Sequence, residues 1–128
     1  MAERKIPFGE SNPETKAFWD AATEGKFILR RCTECQRVHW YPRAICPHCA
    51  SADTEWVPAS GRGKIYSFSV MQRAEVPYTI AYVALEEGTT MLTNIVGCDF
   101  ATLKIGQDVK LVFRPTEGGA PVPMFTPA

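Results

Sequence analysis

From Ile65 onward the chain alternates apolar and polar residues with a period of two, the pattern of strands that cover one face. Residues 65–71 carry Tyr66, Phe68 and Val70 on one face. Residues 77–85 carry Tyr78, Ile80 and Tyr82 on one face and Ala81, Val83 and Leu85 on the other. Residues 91–96 form a third run, and residues 109–113 a fourth in which Val109, Leu111 and Phe113 alternate. Glu86-Glu87-Gly88 and Gly106-Gln107-Asp108 mark turns. Residues 121–126 add a short last strand, which Pro121 and Pro123 restrict to an edge. Such a run of short strands without an intervening long helix predicts a small closed barrel, and a five-stranded OB-fold has the right size.

Upstream the period changes. Asn12-Pro13 opens a helix: Asn12 caps, Pro13 suits the first turn, and Glu14 complements the dipole. Phe18, Ala21 and Ala22 share a face with Trp19 beside it, and Gly25 stops the helix. A helix of about twelve residues is marginal alone, so Phe18 and Trp19 must pack on this protein's own core or on a partner. Residues 27–31 predict a short strand and residues 38–41 its return. Residues 1–11 predict a loose arm, and residues 58–63 a turn-rich junction.

Between those two short strands, and just beyond them, lie Cys32-Thr33-Glu34-Cys35 and Cys46-Pro47-His48-Cys49. Each pair can place two thiolates on one ion, and two pairs at ribbon spacing complete a tetrahedron. The expectation is one structural Zn2+ held by Cys32, Cys35, Cys46 and Cys49, with no position open for water or substrate. A ribbon of roughly 30 residues is too small to fold by burial alone, so the metal decides whether it folds. No signal peptide is evident, which predicts a cytoplasmic, reducing setting and disfavours disulfides. His39 and His48 also lie in the ribbon, but four thiolates already suffice.

Composition narrows the partners. The chain has 128 residues, 45% hydrophobic and 22% charged, with 14 basic and 14 acidic side chains. A general nucleic-acid binder carries a basic excess, and none is present. No apolar run approaches the ~18 residues of a membrane span.

Several short motifs together resemble one family. They are Phe18-Trp19 with Gly25; Arg31-Cys32-x-x-Cys35; Tyr41-Pro42-Arg43; Cys46-Pro47-x-Cys49; Ser60-Gly61-x-Gly63-x-x-Tyr66-Ser67-Phe68; Pro77-Tyr78; Leu92-Thr93-Asn94-x-Val96-Gly97-Cys98; and Leu103-x-Ile105-Gly106. In this order, over about residues 14–126, they resemble the acyl-CoA-associated zinc-ribbon/OB-fold family, domain of unknown function 35. The resemblance implies a mainly β chain: an N-terminal arm and helix (1–26), a rubredoxin-like zinc ribbon (27–58) and an OB-fold domain (59–128). It also implies a non-catalytic accessory subunit that binds or helps channel acyl-CoA thioesters and scaffolds a thiolase-like, hydratase or aldolase partner. One departure stands out. The family carries Gly after the second cysteine, where the chain turns with positive φ, and here Gln36 stands there.

For CoA, phosphate calls for Arg or Lys, adenine for a ring, and the pantetheine arm for an apolar slot. Lys26, Arg30, Arg31, Arg37 and Arg43 crowd the ribbon, with Glu34 the one acid among them. Arg31 and Arg43 match family positions and are the phosphate candidates. Trp40 and Tyr41 can stack on a base or simply cover the ribbon. Tyr66, Phe68 and Tyr78 are too many rings for one small interior, so some line a groove or an interface. Cys98, the one spare cysteine, ends an apolar strand, where a lone Cys is usually a small buried hydrophobe. The competing expectation is a nucleic-acid-binding ribbon/OB module, since both folds serve that purpose.

Overall fold

The computed structural model describes residues 5–8 and 12–128. The helix α1 spans Lys16–Thr23 and is shorter than the sequence pattern suggests. The reason is local. Asn12 accepts from the Thr15 amide through its side chain (3.1 Å) and returns its own amide to Thr15 Oγ1 (3.2 Å), closing a turn ahead of the helix. Glu14 does not serve the helix dipole. Its carboxylate accepts from the Ala44 amide at 2.7 Å and ties the helix entry to the ribbon. The C-terminus is as expected: Gly25 sits at φ +78°, with Gly25 N–H to Ala22 O and Lys26 N–H to Ala21 O, a double closure that needs a left-handed residue.

The ribbon is a three-stranded antiparallel sheet in the order β2-β1-β3, with β1 Ile28–Cys32, β2 Val38–His39 and β3 Thr54–Pro58. The third strand is not legible in the sequence, which marks the segment's end only as a turn-rich junction. It forms because all five residues of β1 pair with it, from Ile28↔Pro58 to Cys32↔Thr54. Phe18 is buried and meets Trp19, Phe27 and Trp40 edge-on, with ring centroids 5.0, 6.2 and 5.2 Å away. Burying such a ring contributes about 1.5–3 kcal/mol. The helix is therefore seated on this protein's own ribbon.

The rest of the chain is a closed barrel in the order β4-β5-β6-β8-β7, with β4 Arg62–Met71, β5 Tyr78–Leu85, β6 Thr90–Ile95, β7 Asp108–Arg114 and β8 Val122–Pro127. A short 3-10 turn, Phe100–Thr102, lies between β6 and β7 and is capped by the Asp99 carboxylate. The last strand is not an edge. It pairs along its length with β7, from Val109↔Pro127 to Arg114↔Val122. Against β6 it makes one parallel bridge, Ile95↔Phe125. The prolines are tolerated because that seam asks for few donors from β8: Val96 N–H and Thr93 Oγ1 donate to Phe125 O and Pro123 O. Ile65, Val83, Met91, Ile95, Val109 and Phe125 fill the interior, and Phe18, Phe27 and Leu29 of the helix and ribbon join the same core.

Two glycines of the Ser60-Gly61-x-Gly63 motif answer to packing. Gly61 holds φ +76°, and a Cβ there would touch Leu111 at 3.0 Å. A Cβ on Gly63 would lie 2.6 Å from Val83 Cγ1 and 2.8 Å from Ala84 O, so only glycine lets β4 and β5 approach. The bulge in β4 comes later, between Ile65 and Ser67. It makes Tyr66 the extra residue and reverses the phase of the strand. Tyr66 is exposed, whereas Phe68 packs on the core, so the face expected to hold both is split. Of the arm, Pro7 bridges Glu117 and Phe8 meets Trp19 edge-on at 5.1 Å; residues 1–4 and 9–11 lie outside the described set. Among the described residues no helix is long and apolar enough to cross a membrane.

Candidate metal centre and adjoining groove

The four cysteines converge. Cys32 follows from β1, Cys35 from the turn after it, and Cys46 and Cys49 from the second knuckle. Their Sγ atoms all lie within 4.8 Å of one another. Cys32–Cys49 is 3.5 Å and Cys35–Cys46 is 3.7 Å, and all four are free of disulfides. Four sulfurs at about 2.3 Å from a Zn2+ sit roughly 3.8 Å apart along a tetrahedron's edges. The spacing is therefore that of a metal site built from four thiolates, and the donor set is complete. The site holds one structural Zn2+. Without a cation these thiols cannot all ionise. The Cys35 amide, with the neighbouring thiols, draws Cys32 down to about 7. At Cys49 the Ser51 amide pulls down, but Cys32, burial and the other thiols outweigh it and push the group up to about 12.

Backbone geometry shows what knuckles demand. Gln36, after Cys35, has φ +65°, and Ala50, after Cys49, has φ +64°. Both positions are left-handed although neither is glycine. Cys32 O accepts from the Gln36 amide at 3.0 Å, and Cys46 O from the Ala50 amide at 2.9 Å, so the two turns are equivalent. Sequence reasoning singles out Gln36 and misses Ala50. The signal for it exists, since Ala50 too follows the second cysteine of a CxxC pair.

The cations sort by environment. Lys26 pairs with Glu24 at 3.4 Å, and Arg30 lies over the Trp56 ring at 4.4 Å. Arg31 reaches Glu55 at 3.7 Å and donates to the Gln36 side chain. Arg43 is exposed and makes no ion pair with any described residue. It lines a shallow groove beside the second knuckle with Tyr41, Ile45 and Pro47. Tyr41 is 44% and Ile45 52% exposed. Trp40 is not part of that lining; it packs in the cluster with Phe18 and Phe27 and meets the Tyr41 ring edge-on at 5.6 Å. Arg31 and Arg43, paired in sequence reasoning, thus differ: one is engaged on the ribbon sheet and the other is free in the groove. Tyr66 and Tyr78 belong to the barrel, away from the groove's lining, and Phe68 packs inward.

Cys98 packs against the core, and burial followed by the Asp99 charge pushes its thiol up. Both histidines lie in the ribbon segment. His39 is buried, and its imidazole is held below the ordinary range, chiefly by burial.

Comparisons with known proteins agree with this anatomy. A family profile described as ChsH2, rubredoxin-like zinc ribbon domain, matches residues 19–55, and one described as ChsH2, C-terminal OB-fold domain, matches residues 56–114. The chain is 36% identical over 118 residues to a probable enoyl-CoA hydratase alpha subunit of Thermomonospora curvata, covering 88% of this chain and 37% of that protein. It therefore spans little more than a third of that relative. It is 37% identical over 91 residues to a DUF35 domain-containing scaffold protein of Methanothermobacter thermautotrophicus, covering 66% of this chain and 68% of the relative. It is 34% identical over 89 residues to the benzoylsuccinyl-CoA thiolase subunit BbsA of Geobacter metallireducens, covering 66% of this chain and 60% of the relative. Among solved structures it superposes on a chain of an Ltp2-ChsH2(DUF35) aldolase with a TM-score of 0.81 and 32% identity, covering 94% of this chain and 98% of that one.

Proposed function

The chain belongs to the DUF35 family of zinc-ribbon/OB-fold proteins, and from that premise we propose that it is a non-catalytic accessory subunit that binds acyl-CoA thioesters and scaffolds a hydratase, thiolase-like or aldolase subunit. The names of its relatives support the choice of partner class: one is a scaffold protein, one a thiolase subunit, one a hydratase alpha subunit, and one is solved within an aldolase. The chemistry of this chain supports the absence of its own reaction. Four thiolates close the metal's coordination shell, so the ion shapes the ribbon and offers no Lewis-acid position. Cys98 is a half-buried thiol that burial, and then the Asp99 charge, push up, away from the reactive thiolate.

The observation that carries the CoA reading is the free Arg43 beside Tyr41 in the groove at the second knuckle. A guanidinium recognises phosphate through paired N–H donors, and an exposed ring gives adenine a face to lie on. Ile45 and Pro47 supply apolar wall for a thin arm. Arg31 serves the ribbon sheet and lends positive potential rather than a direct contact. Calorimetric titration of acetyl-CoA, alone and with the co-purified catalytic subunit, tests the reading. Binding should weaken about tenfold or more on Arg43→Glu, and less for CoA lacking its 3′-phosphate. Undetectable acetyl-CoA binding in both settings would remove the ligand, and steeply salt-dependent nanomolar binding of single-stranded DNA would replace it with a nucleic-acid role. Thioester turnover by the purified chain alone would overturn the accessory assignment.

A further inference from the structure

The groove at the second knuckle holds an acid as well as a cation. Asn12 and Glu14 of the helix entry line it together with Tyr41, Arg43, Ile45 and Pro47 of the ribbon. A carboxylate beside a phosphate-binding guanidinium is a liability unless its charge is occupied, because it would pair with the cation or repel the ligand. Here it is occupied. Glu14 Oε2 accepts at 2.7 Å from the amide of Ala44, the residue directly after Arg43, and Glu14 and Arg43 form no ion pair. That bond has little help from its surroundings. Residues 41–45 belong to no strand or helix. Trp40 N–H is held by Thr89 and Cys46 N–H by Ser51; between them the Ala44 amide is the one backbone N–H with an acceptor among the described residues. Thr54 Oγ1 lies 3.5 Å from the Ala44 carbonyl, a weaker tie. The other end of the bond is fixed. Glu14 stands in the turn that Asn12 closes, Thr15 beside it is buried, and α1 is seated on the ribbon through Phe18. A rigid helix entry thus grips an otherwise unpaired segment next to the cation.

We infer that Glu14 is a positioning residue of this groove: its carboxylate fixes the Arg43-Ala44 backbone and, by spending its charge on an amide, leaves the Arg43 guanidinium available to a phosphate-bearing ligand. The inference rests on the CoA reading above and adds what prepares the site. A segment ordered beforehand need not be ordered by the ligand, so a preset cation binds more tightly. The sign of the effect separates this role from two simpler ones. A carboxylate acting through its charge alone opposes an anionic ligand, so every neutral replacement would tighten binding. A carboxylate acting only on stability would shift the melting temperature and leave affinity alone. A positioning carboxylate tolerates glutamine, whose side-chain oxygen still accepts from Ala44, and does not tolerate a shorter or apolar side chain.

The test is calorimetric titration of acetyl-CoA into the whole chain, alone and with the co-purified catalytic subunit, for the parent and for Glu14→Gln, Glu14→Asp and Glu14→Ala. Glu14 is exposed, so none of these changes opens the core. Glu14→Gln should bind at least as tightly as the parent. Glu14→Asp keeps the charge and loses the reach, Glu14→Ala loses both, and each should weaken binding by about threefold to tenfold. Both losses should vanish in an Arg43→Ala background. Amide exchange at Ala44 reads the grip without ligand: parental protection in Glu14→Gln, faster exchange in the other two. If Glu14→Ala failed to hold one zinc per chain, the glutamine and aspartate variants decide by themselves. Equal affinity of all variants would overturn the inference. So would tighter binding by both neutral variants, a glutamine variant as weak as the aspartate one, or a loss that persists in the Arg43→Ala background. A parent that binds no acetyl-CoA in either setting would remove the CoA reading and this inference together, whereas parental binding with indifferent variants removes the inference alone.

Discussion

Gln36 and Arg31 are joined across the first metal knuckle: the guanidinium donates to the Gln36 side-chain oxygen, while Gln36 Nε2 donates to Thr33 O at 2.6 Å. The residue held this way occupies a left-handed backbone at φ +65°, where a side chain costs about 1 kcal/mol. The side-chain hydrogen bonds offset that cost, each contributing about 0.5–1.5 kcal/mol. Gln36→Gly should therefore leave the thermal midpoint nearly unchanged, because relief of strain and loss of two hydrogen bonds oppose each other. Gln36→Val has no such compensation and should destabilise by about 2 kcal/mol. Differential scanning calorimetry of both variants decides the point.

The metal should prove necessary to the ribbon and dispensable to the barrel. Elemental analysis should return one zinc per chain. Cys46→Ser should abolish exchange protection of β1–β3 while the strands from β4 to β8, closed on themselves, keep theirs. Metal binding in small zinc domains contributes on the order of 10–16 kcal/mol, far more than this ribbon can recover by burial.

Zinc affinity should rise with pH. In the metal-free cluster Cys32 is drawn down to about 7 and Cys49 pushed up to about 12, so at neutral pH Cys49 holds a proton that the metal must displace. The metal-bound form therefore carries fewer protons, and acid favours release. Chelator competition at pH 6, 7 and 8 should give progressively tighter binding, and a flat profile would contradict a thiolate site.

His39 predicts a separate loss of stability in acid. It is buried, and burial holds its folded-state pKa below the unfolded value near 6.5, with the Arg43 backbone opposing in part. The unfolded chain then binds the extra proton, so stability is complete above about pH 6.5 and falls as the pH drops below it. With zinc held saturating, His39→Phe should flatten the difference in denaturant midpoint between pH 7 and pH 5.5.

Gly63 is the sharpest packing test in the barrel. The Cβ of Gly63→Ala would lie 2.6 Å from a Val83 methyl and 2.8 Å from Ala84 O, and backbone cannot yield cheaply. Overpacking of this kind costs about 1–3 kcal/mol, readable as a lower urea midpoint. At Gly63 the φ is not positive, so the loss reports the clash alone; Gly88→Ala, where a Cβ meets open space at φ +97°, reports the opposite case of backbone strain without a clash.

The metal ligands, the barrel strands and the Gly25 stop were legible in the one-dimensional chain because each is set by neighbours a few residues apart. A CxxC pair can reach one ion whatever surrounds it, a period of two marks a covered strand, and a left-handed helix exit favours glycine. The tertiary structure alone decided the rest. It paired β3 with β1, bulged β4 so that Tyr66 faces out and Phe68 in, drew Trp40 into the cluster with Phe18 and Phe27, and left Arg43 without an ion pair among the described residues while Arg31 found Glu55. Those outcomes depend on which distant segments become neighbours, and no local pattern of residues encodes the competition among packing partners that settles them.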